Sequence, residues 1–205
     1  MNIILSVKLT IWLPEMGKSQ KDKAESHDRI VQVAAARFRE TGIAGIGLAD
    51  LMKDAGMTHG GFYRHFASRE DLVAEGVEQA LSDGSRVVEA LANRGQASLK
   101  SIVNGYLSTM HRDNLASSCA VTALAGDVAR SNERTRAAYT RQVDLYVALL
   151  TGLIAGEKQK SRRAKAIAAL ATLVGALSLA RAVNDEVLSR EILKAAADGL
   201  MEQFD

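Results

Sequence analysis

Apolar residues recur along most of this chain with the spacing of an α-helix, and no segment shows the two-residue alternation of a strand. Ile30, Ala34 and Phe38 follow one another at four-residue spacing, which predicts a helix over 27–41 with one buried stripe. Gly42 comes directly after this segment, as glycine commonly does just past the C-terminus of a helix.

Two short helices follow, separated by a tight turn. The first is indicated by apolar residues at i, i+3, i+4 and i+7, namely Leu48, Leu51, Met52 and Ala55. Gly56 interrupts this pattern, and its lack of a Cβ permits the positive φ that such a turn often needs. Thr58 is a suitable N-cap for the second helix, which carries Phe62 and Phe66 on one face.

The rest of the chain is predicted as helices with short polar breaks between them. Ser68 caps a helix whose first turn carries Glu70 and Asp71, where the helix dipole favours negative charge. Further helices are expected at roughly 96–112, 117–130, 132–155, 159–183 and 189–204. The predicted fold class is therefore all-α.

Three regions follow from these patterns. Residues 1–25 are expected to form a flexible N-terminal tail, 26–70 a helix-turn-helix domain, and 71–205 a larger helical domain. The apolar stretch 1–13 is interrupted by a lysine and falls short of the ~20 apolar residues that span a membrane. No small-residue cleavage site follows this stretch, and Met16 is an alternative initiator.

Composition refines this picture. A single proline, Pro14, leaves the chain after it free to be helical. The single cysteine, Cys119, excludes an intramolecular disulfide and is typical of a reducing compartment. The formal net charge of +2 argues neither for nor against nucleic acid, so a DNA-binding surface has to be local. Residues 17–69 supply nine Lys or Arg against six Asp or Glu, a local excess of +3.

The second short helix has the chemistry of a DNA-recognition element. In a helix-turn-helix, this helix enters the major groove and presents its N-terminal residues to base edges. Hydroxyl and cationic groups donate to phosphates, and they recur within twelve residues, at Thr58, Tyr63, His65 and Arg69. Gly60 and Gly61 each disfavour a helix by about 1 kcal/mol relative to alanine. Their presence is explained if the backbone has to approach another surface closely, as it would approach DNA.

At these residues the sequence resembles the TetR family of repressors. The matching positions are Ile30, Ala34, Phe38, Gly42, Leu51, Ala55-Gly56, Tyr63-Arg64-His65-Phe66 and Ser68-Arg69-Glu70-Asp71-Leu72. The form Thr58-His59-Gly60-Gly61-Phe62-Tyr63 looks like one branch of the family. The family is dimeric, with a three-helix DNA-binding domain and a larger domain for ligand binding and dimerisation. The resemblance implies that residues 71–205 form the domain for ligand binding and dimerisation.

The resemblance also implies a set of DNA contacts. These are expected from Thr58, His59, Gly60, Tyr63, Arg64 and His65, with a phosphate contact from Arg69. The start of the preceding helix, at Gly47 and Leu48, would also contact phosphate. Many members have Ser or Thr there, whereas Gly47 and Leu48 leave only backbone N–H groups as donors. A metal site built from His59 and His65 is disfavoured, because their six-residue spacing puts them on different helix faces.

Five residues of the C-terminal region are candidates for a ligand pocket or a sensor, namely Cys119, Tyr106, His111, Tyr139 and Tyr146. Cys119 is interpreted either as a small buried apolar residue or as a redox or electrophile sensor. Ser117 and Ser118 place it near a predicted helix start, which favours a thiolate. Some TetR-like regulators sense electrophiles through cysteine. The tyrosines and the histidine either line a pocket or fill the core.

A long apolar segment indicates an interface between two copies of the chain. Residues 164–183 are apolar on most sides and have to be buried. The charge-free part, 166–180, is about 22 Å long and too short to cross a bilayer. Helices near 159–183 and 189–204 resemble the four-helix dimer interface of the family. The alternative is that 164–183 forms the core of a single subunit.

These features predict a dimeric, cytoplasmic, DNA-binding transcriptional regulator. By resemblance it is a repressor released from palindromic operator DNA by a small-molecule effector. Two alternatives stay open, a repressor triggered by oxidants or electrophiles through Cys119 and a helical adaptor that binds protein. An enzyme is not expected, nor are a metal or a cofactor. The sequence shows no paired carboxylates, no Ser/His/Asp spacing, no metal-ligand set and no phosphate-binding glycine loop.

Overall fold

The computed structural model describes residues 16–93, 98–155 and 158–204, and every regular element in these ranges is helical. The α-helices are α1 (Met16–Thr41), α2 (Leu48–Asp54), α3 (Arg69–Asn93), α4 (Leu99–Tyr106), α5 (Thr109–Asp113), α6 (Ala120–Val128), α7 (Glu133–Leu153), α8 (Gln159–Ala182) and α9 (Glu186–Phe204). A 3₁₀ helix, called here the recognition segment, spans His59–Arg64 between α2 and α3. The all-α prediction is confirmed.

Helix α1 starts earlier than the sequence pattern suggested. It begins at Met16, so residues 16–25 continue the helix rather than forming part of a flexible tail. The side chains of residues 20–25 are exposed, which is why no apolar stripe marked this part of the helix. Residues 1–15, which include the apolar stretch 1–13, lie outside the described residues.

The N-terminal domain is built on an apolar cluster that joins α1, α2, the recognition segment and α3, and that extends to α6 and Ala138 of α7. Its largest fully buried side chains are Ile30, Phe38, Met52, Phe62 and Leu72. These residues include the predicted stripe of α1 and the predicted inward face of the second short helix. The turn between α2 and the recognition segment contains Gly56 at φ 74°, as the sequence pattern required.

The recognition segment is a 3₁₀ helix rather than the predicted α-helix. Its boundary hydrogen bonds have three-residue spacing, from the N–H of Gly61 to the Thr58 carbonyl at 3.0 Å and from the N–H of His65 to the Phe62 carbonyl at 2.9 Å. The segment has only six residues, and two of them are glycines, which weakens α-helix formation. Thr58 occupies the N-cap position, but its side chain makes no capping hydrogen bond.

In the C-terminal domain, α4, α7, α8 and α9 pack around a second apolar cluster, whereas the buried residues of α6 belong to the first. Leu150 of α7, Leu173 and Leu177 of α8, and Leu193 of α9 are buried together in this second cluster. The predicted helix at 96–112 is two helices, because Ser108 interrupts it. The Ser108 side chain accepts a hydrogen bond of 3.1 Å from the N–H of His111 and starts α5 as a new helix.

Helix α3 connects the two domains, because it packs against α1 in one domain and α7 in the other. Ser68 caps it as predicted, with its Oγ accepting a 3.1 Å hydrogen bond from the N–H of Asp71. Among the described helices, α8 is long and apolar enough to cross a membrane by length and composition, a test that core helices of soluble proteins also pass. Many of its apolar residues, including Leu170, Leu173 and Leu177, are buried inside the subunit.

Candidate DNA-binding surface and sensor cluster

The recognition segment presents its polar side chains outward. Thr58, His59, Gly60, Tyr63 and Arg64 are all exposed. Tyr63 is 71% exposed, although its ring lies edge-on to the buried Phe62 ring with centroids 5.2 Å apart. The phenol hydroxyl is therefore held on the surface by a ring that the core supports, which is the arrangement a side chain needs to donate to a phosphate.

Two stacked phenylalanines anchor the segment from below. Phe62 and Phe66 are both buried, and their rings stack with centroids 5.5 Å apart. The ring of His27, from α1, stacks in turn on Phe66 at 4.6 Å. Nε2 of His27 lies 2.7 Å from a carboxylate oxygen of Glu75, so this histidine joins α1 to α3 beside the recognition segment.

His65 lies at the end of the segment and is only half-buried. Burial lowers its pKa, and the nearby charges of His27, Lys23 and Arg64 lower it further. Its Nδ1 atom is buried and has no hydrogen-bond partner in the described protein. The structure thus favours a neutral imidazole at a position where the resemblance implies a DNA contact.

The remaining predicted DNA contacts, at Gly47, Leu48 and Arg69, have fewer free side-chain donors to offer to DNA. Gly47 is the N-cap of α2 and is exposed, while the Leu48 side chain packs against the core and leaves only its N–H available. Arg69 is exposed, but its Nη2 atom donates to the carbonyls of Ile43 and Ile46, both at 3.1 Å. Part of the Arg69 guanidinium therefore holds the loop between α1 and α2.

In the C-terminal domain the structure brings the predicted sensor residues together. Cys119 is the N-cap of α6 and is buried. The side chains of Tyr106 and Tyr146 lie close enough to its thiol to interact with it. Tyr106 also shares a 2.5 Å hydrogen bond with the Thr122 hydroxyl. Residues that the sequence spreads over α4, α6 and α7 therefore surround one thiol.

The phenols around Cys119 are strongly desolvated. Burial, aided by the neighbouring thiol, raises the pKa of both Tyr106 and Tyr146. The same two causes raise the pKa of Tyr139 to about 12, and its hydroxyl donates to the Val121 carbonyl at 2.7 Å. The three tyrosines are consequently neutral at physiological pH. Tyr106 and Tyr146 can donate to a ligand atom or to a modified sulfur, whereas the Tyr139 hydroxyl is already engaged with the backbone.

His111 lies beside both Cys119 and Tyr106, with its ring edge-on to the Tyr106 ring at 4.7 Å between centroids. Its Nδ1 donates to the Tyr106 carbonyl at 2.7 Å, and its Nε2 accepts from the N–H of Cys119 at 3.1 Å. Burial lowers the pKa of His111, in keeping with this neutral tautomer. Arg181 of α8 donates to the carbonyl of the same histidine at 2.8 Å, which joins the thiol cluster to α8.

Several charged residues that connect these parts were not predicted from the sequence. Arg112 links α5 to α9 through a 2.7 Å hydrogen bond to Ser189 and an ion pair with Glu186. Arg39 and Asp127 join the N-terminal domain to the C-terminal one. Arg39 could have been noticed, since it continues a four-residue spacing along the apolar flank of α1. The contacts of Arg112 and Asp127 join residues that are far apart in the sequence, so no local pattern indicates them.

A groove of about 330 Å³ lies between α1 and α3 and is polar in character. Its lining residues are His27, Asp28, Val31, Glu75, Glu78, Gln79 and Ser82. None of the predicted sensor residues is among them. In the part of the chain that the structure describes, no three His, Cys, Asp or Glu side chains are grouped as a metal ion would need.

Comparison with known proteins agrees with this geometry. Residues 30–75 match the family model described as bacterial regulatory proteins, tetR family. A 58-residue segment is 33% identical to the HTH-type transcriptional regulator AcrR of Shigella flexneri and covers 28% of this chain and 27% of AcrR. The chain spans less than half the length of the curated relatives that it matches. The matched proteins are transcriptional regulators, not enzymes.

Solved structures extend the similarity to most of the chain. A TetR family transcriptional regulator from Cytophaga hutchinsonii is 17% identical and superposes with a TM-score of 0.73 over 90% of this chain and 96% of that one. The reduced form of NemR from E. coli is 20% identical, with a TM-score of 0.68 over 87% and 96% of the two chains. Residues 30–75 therefore match the tetR family model, within a chain whose overall fold is that of solved TetR family regulators.

Proposed function

We propose that this chain is a cytoplasmic transcriptional regulator that binds double-stranded operator DNA as a homodimer and acts as a repressor. The observation that carries the proposal is the recognition segment, where Phe62 and Phe66 anchor a short helix whose exposed face holds Thr58, Tyr63 and Arg64. This arrangement suits the major groove, where side chains at the start of a recognition helix reach bases and its flanking groups bind phosphates.

Symmetry sets the form of the DNA site. A homodimer related by a two-fold axis would present two recognition segments to an approximately palindromic operator. The two half-sites would be spaced by whole helical turns, about 34–36 Å or a multiple of it. Exposed apolar residues on α8 and α9, among them Ile167, Leu179 and Val187, support dimerisation through these helices.

The proposed signal is a small-molecule effector that binds in the C-terminal domain near Cys119. Neutral phenols from Tyr106, Tyr139 and Tyr146 converge there on one thiol, and Tyr106 and Tyr146 supply donors for a ligand. An effector that favours a different separation of the recognition segments would lower DNA affinity by its differential affinity for the two states.

Substitution of Tyr63 tests the DNA-binding proposal. The variants Tyr63→Ala and Met110→Ala both truncate side chains more than 70% exposed, and only Tyr63 lies on the recognition segment. Both variants and the wild type are titrated at two salt concentrations onto fluorescent duplexes from the DNA beside the gene and onto a scrambled duplex. Tyr63→Ala should weaken binding at least tenfold while keeping the melting temperature of the protein. Equal binding by all three proteins would favour the adaptor interpretation.

A second candidate trigger is oxidation or alkylation of Cys119 itself. The contact of Tyr106 and Tyr146 with the thiol favours it, because a bulkier or more polar sulfur would disturb both rings. The test compares DNA binding of wild type and Cys119→Ser after treatment with diamide or N-ethylmaleimide. Loss of binding in the wild type alone supports this trigger, and equal responses of the two proteins exclude it.

A further inference from the structure

Arg39, in the last turn of α1, is a charged residue on the buried side of its helix. Its side chain is only 6% exposed, and it follows Val31 and Ala35 at four-residue spacing along the apolar flank. A guanidinium in this position is unfavourable unless its N–H groups are paired. The partners of Arg39 therefore indicate why the charge is there.

Those partners belong to two separate parts of the chain. Nε of Arg39 donates to the Ala116 carbonyl at 2.6 Å. Nη1 donates to the Ala80 carbonyl at 3.2 Å and to the Asp83 carboxylate at 3.1 Å. One side chain of the DNA-binding domain thus binds α3 through two groups and the loop between α5 and α6 through a third.

The loop that Arg39 holds leads directly to Cys119. Ser118 donates to the Leu115 carbonyl through both its N–H, at 3.1 Å, and its hydroxyl, at 2.9 Å, which closes a tight turn around Ala116. The next backbone N–H along the chain, that of Cys119, donates a hydrogen bond to Nε2 of His111. A change at the thiol that opens this turn would therefore move the Ala116 carbonyl away from Arg39.

A second contact joins the far end of α6 to the DNA-binding domain. The Asp127 carboxylate accepts a 3.3 Å hydrogen bond from the N–H of Ile43, in the loop before α2. Arg69 donates to the carbonyl of the same residue. The domain that carries the recognition segment thus holds the loop before α6 through Arg39 and the far end of α6 through Asp127, and Arg39 is the contact nearer to Cys119.

We propose that Arg39 is a positioning residue that couples the loop before Cys119 to the DNA-binding helices. While the turn around Ala116 is closed, Arg39 fixes α1 relative to α3. When the turn opens, a buried donor loses its partner, and α1 shifts to restore the pairing. The coupling role rests on the proposed function, in which a signal near Cys119 alters DNA binding.

The planar guanidinium is essential to this role. Arginine can donate in several fixed directions at once, whereas a lysine ammonium is a compact charge on a flexible stem. Arg39→Lys keeps a charge opposite Asp83 but loses the simultaneous contacts with Ala80 and Ala116. Arg37→Lys is the matched control, because Arg37 lies on the same helix and pairs instead with Asp54 and Glu40.

The test follows backbone hydrogen exchange by mass spectrometry before and after Cys119 is labelled with 5,5′-dithiobis(2-nitrobenzoate). The Cys119 thiolate attacks the reagent's disulfide, forms a mixed disulfide and releases one thionitrobenzoate anion, so the released chromophore counts the modified thiols. Cys119→Ser treated in the same way reports any effect of the reagent elsewhere. The labelled group is bulky enough to displace the loop.

In the wild type and in Arg37→Lys, labelling should change exchange rates over residues 36–47 by at least threefold. In Arg39→Lys the change should stay within residues 99–128. An equal response over 36–47 in Arg39→Lys and Arg37→Lys overturns the proposal, and so does a wild-type response that never reaches α1. If Arg39→Lys does not fold, Asp83→Asn replaces it. This variant keeps Arg39 but removes the charge of its ion-pair partner, so labelling should change the exchange rates over residues 36–47 less than in the wild type.

DNA titrations of the same labelled and unlabelled samples separate this proposal from the proposed function. If the wild type binds no duplex in either state, the regulator proposal fails, while the exchange data still decide whether Arg39 couples the loop to α1. If the wild type binds DNA and labelling weakens that binding, Arg39→Lys should still bind DNA, and labelling should lower its DNA affinity much less than it lowers that of the wild type.

Discussion

The backbone N–H of Cys119 donates a 3.1 Å hydrogen bond to Nε2 of His111, so a neutral imidazole holds the N-cap residue of α6. The other ring nitrogen donates to the Tyr106 carbonyl, and Tyr106 in turn contacts the Cys119 thiol. The imidazole, the phenol and the thiol thus form a closed set of contacts. A change in any one of these groups, whether by ligand, oxidant or proton, would be felt by the other two.

Acidification should therefore destabilise the C-terminal domain. Burial lowers the pKa of folded His111, whereas in the unfolded chain a histidine has its ordinary pKa of about 6.5. The unfolded state then binds more protons as the pH falls from about 7.5 toward that ordinary value and below, and stability decreases until the pH passes the lowered folded value. Urea unfolding between pH 7.5 and pH 5 measures this slope.

His111→Gln should give a shallower slope, because it removes one of the groups responsible. The matched control is His59→Gln, which changes an exposed histidine of the recognition segment and should keep the wild-type slope. Identical slopes for His111→Gln and the wild type would place the pH dependence elsewhere, with His65 the next candidate because burial also lowers its pKa.

A methyl group added to the recognition segment should harm DNA binding without harming the fold. A Cβ at Gly60 would meet no protein atom within 4 Å, and the same holds for Gly105 in α4. Gly60→Ala should therefore melt near the wild-type temperature but bind operator DNA at least tenfold more weakly, because DNA has to approach this backbone. Gly105→Ala is the control. Wild-type DNA affinity in Gly60→Ala would show that the backbone does not contact DNA at this point.

The two neighbouring aromatic residues of the segment should behave in opposite ways. Phe62→Ala removes a fully buried ring and should destabilise the N-terminal domain by about 3–5 kcal/mol. Such a loss is a large share of the roughly 5–15 kcal/mol that stabilises a typical domain. Urea unfolding followed by circular dichroism measures it. The exposed Tyr63→Ala should unfold within about 0.5 kcal/mol of the wild type, and a similar loss in both variants would contradict the anchoring role of Phe62.

A charge placed on the exposed face of α8 should separate the proposed dimer. Leu179 of α8 and Leu145 of α7 are both 58% exposed, so the two positions form a matched pair. Leu179→Glu should elute as a monomer in size exclusion with light scattering, since an unpaired carboxylate would be buried at the interface. Leu145→Glu should stay dimeric. A monomer from Leu145→Glu alone would place the interface on α7.

Local pattern was sufficient for the elements and for the outward face of the recognition segment. The spacing of Ile30, Ala34 and Phe38 predicted the buried side of α1, and Phe62 and Phe66 predicted the anchor, because helical periodicity directly determines which residues share a face. The pattern was misleading where no apolar stripe existed, as in residues 16–25. It also failed where two glycines and a short length changed an expected α-helix into a 3₁₀ helix.

The sequence by itself determined that the chain is all-helical, where its helix-turn-helix lies, and which chemical groups that motif exposes, since these depend on neighbours a few residues apart. Only the tertiary structure decided that Cys119, His111 and three tyrosines from α4 and α7 meet, and that Arg39 joins α1 to the loop before that thiol. Such contacts link residues up to 77 positions apart. They depend on how the helices pack, and hydrophobic periodicity does not encode which helices become neighbours.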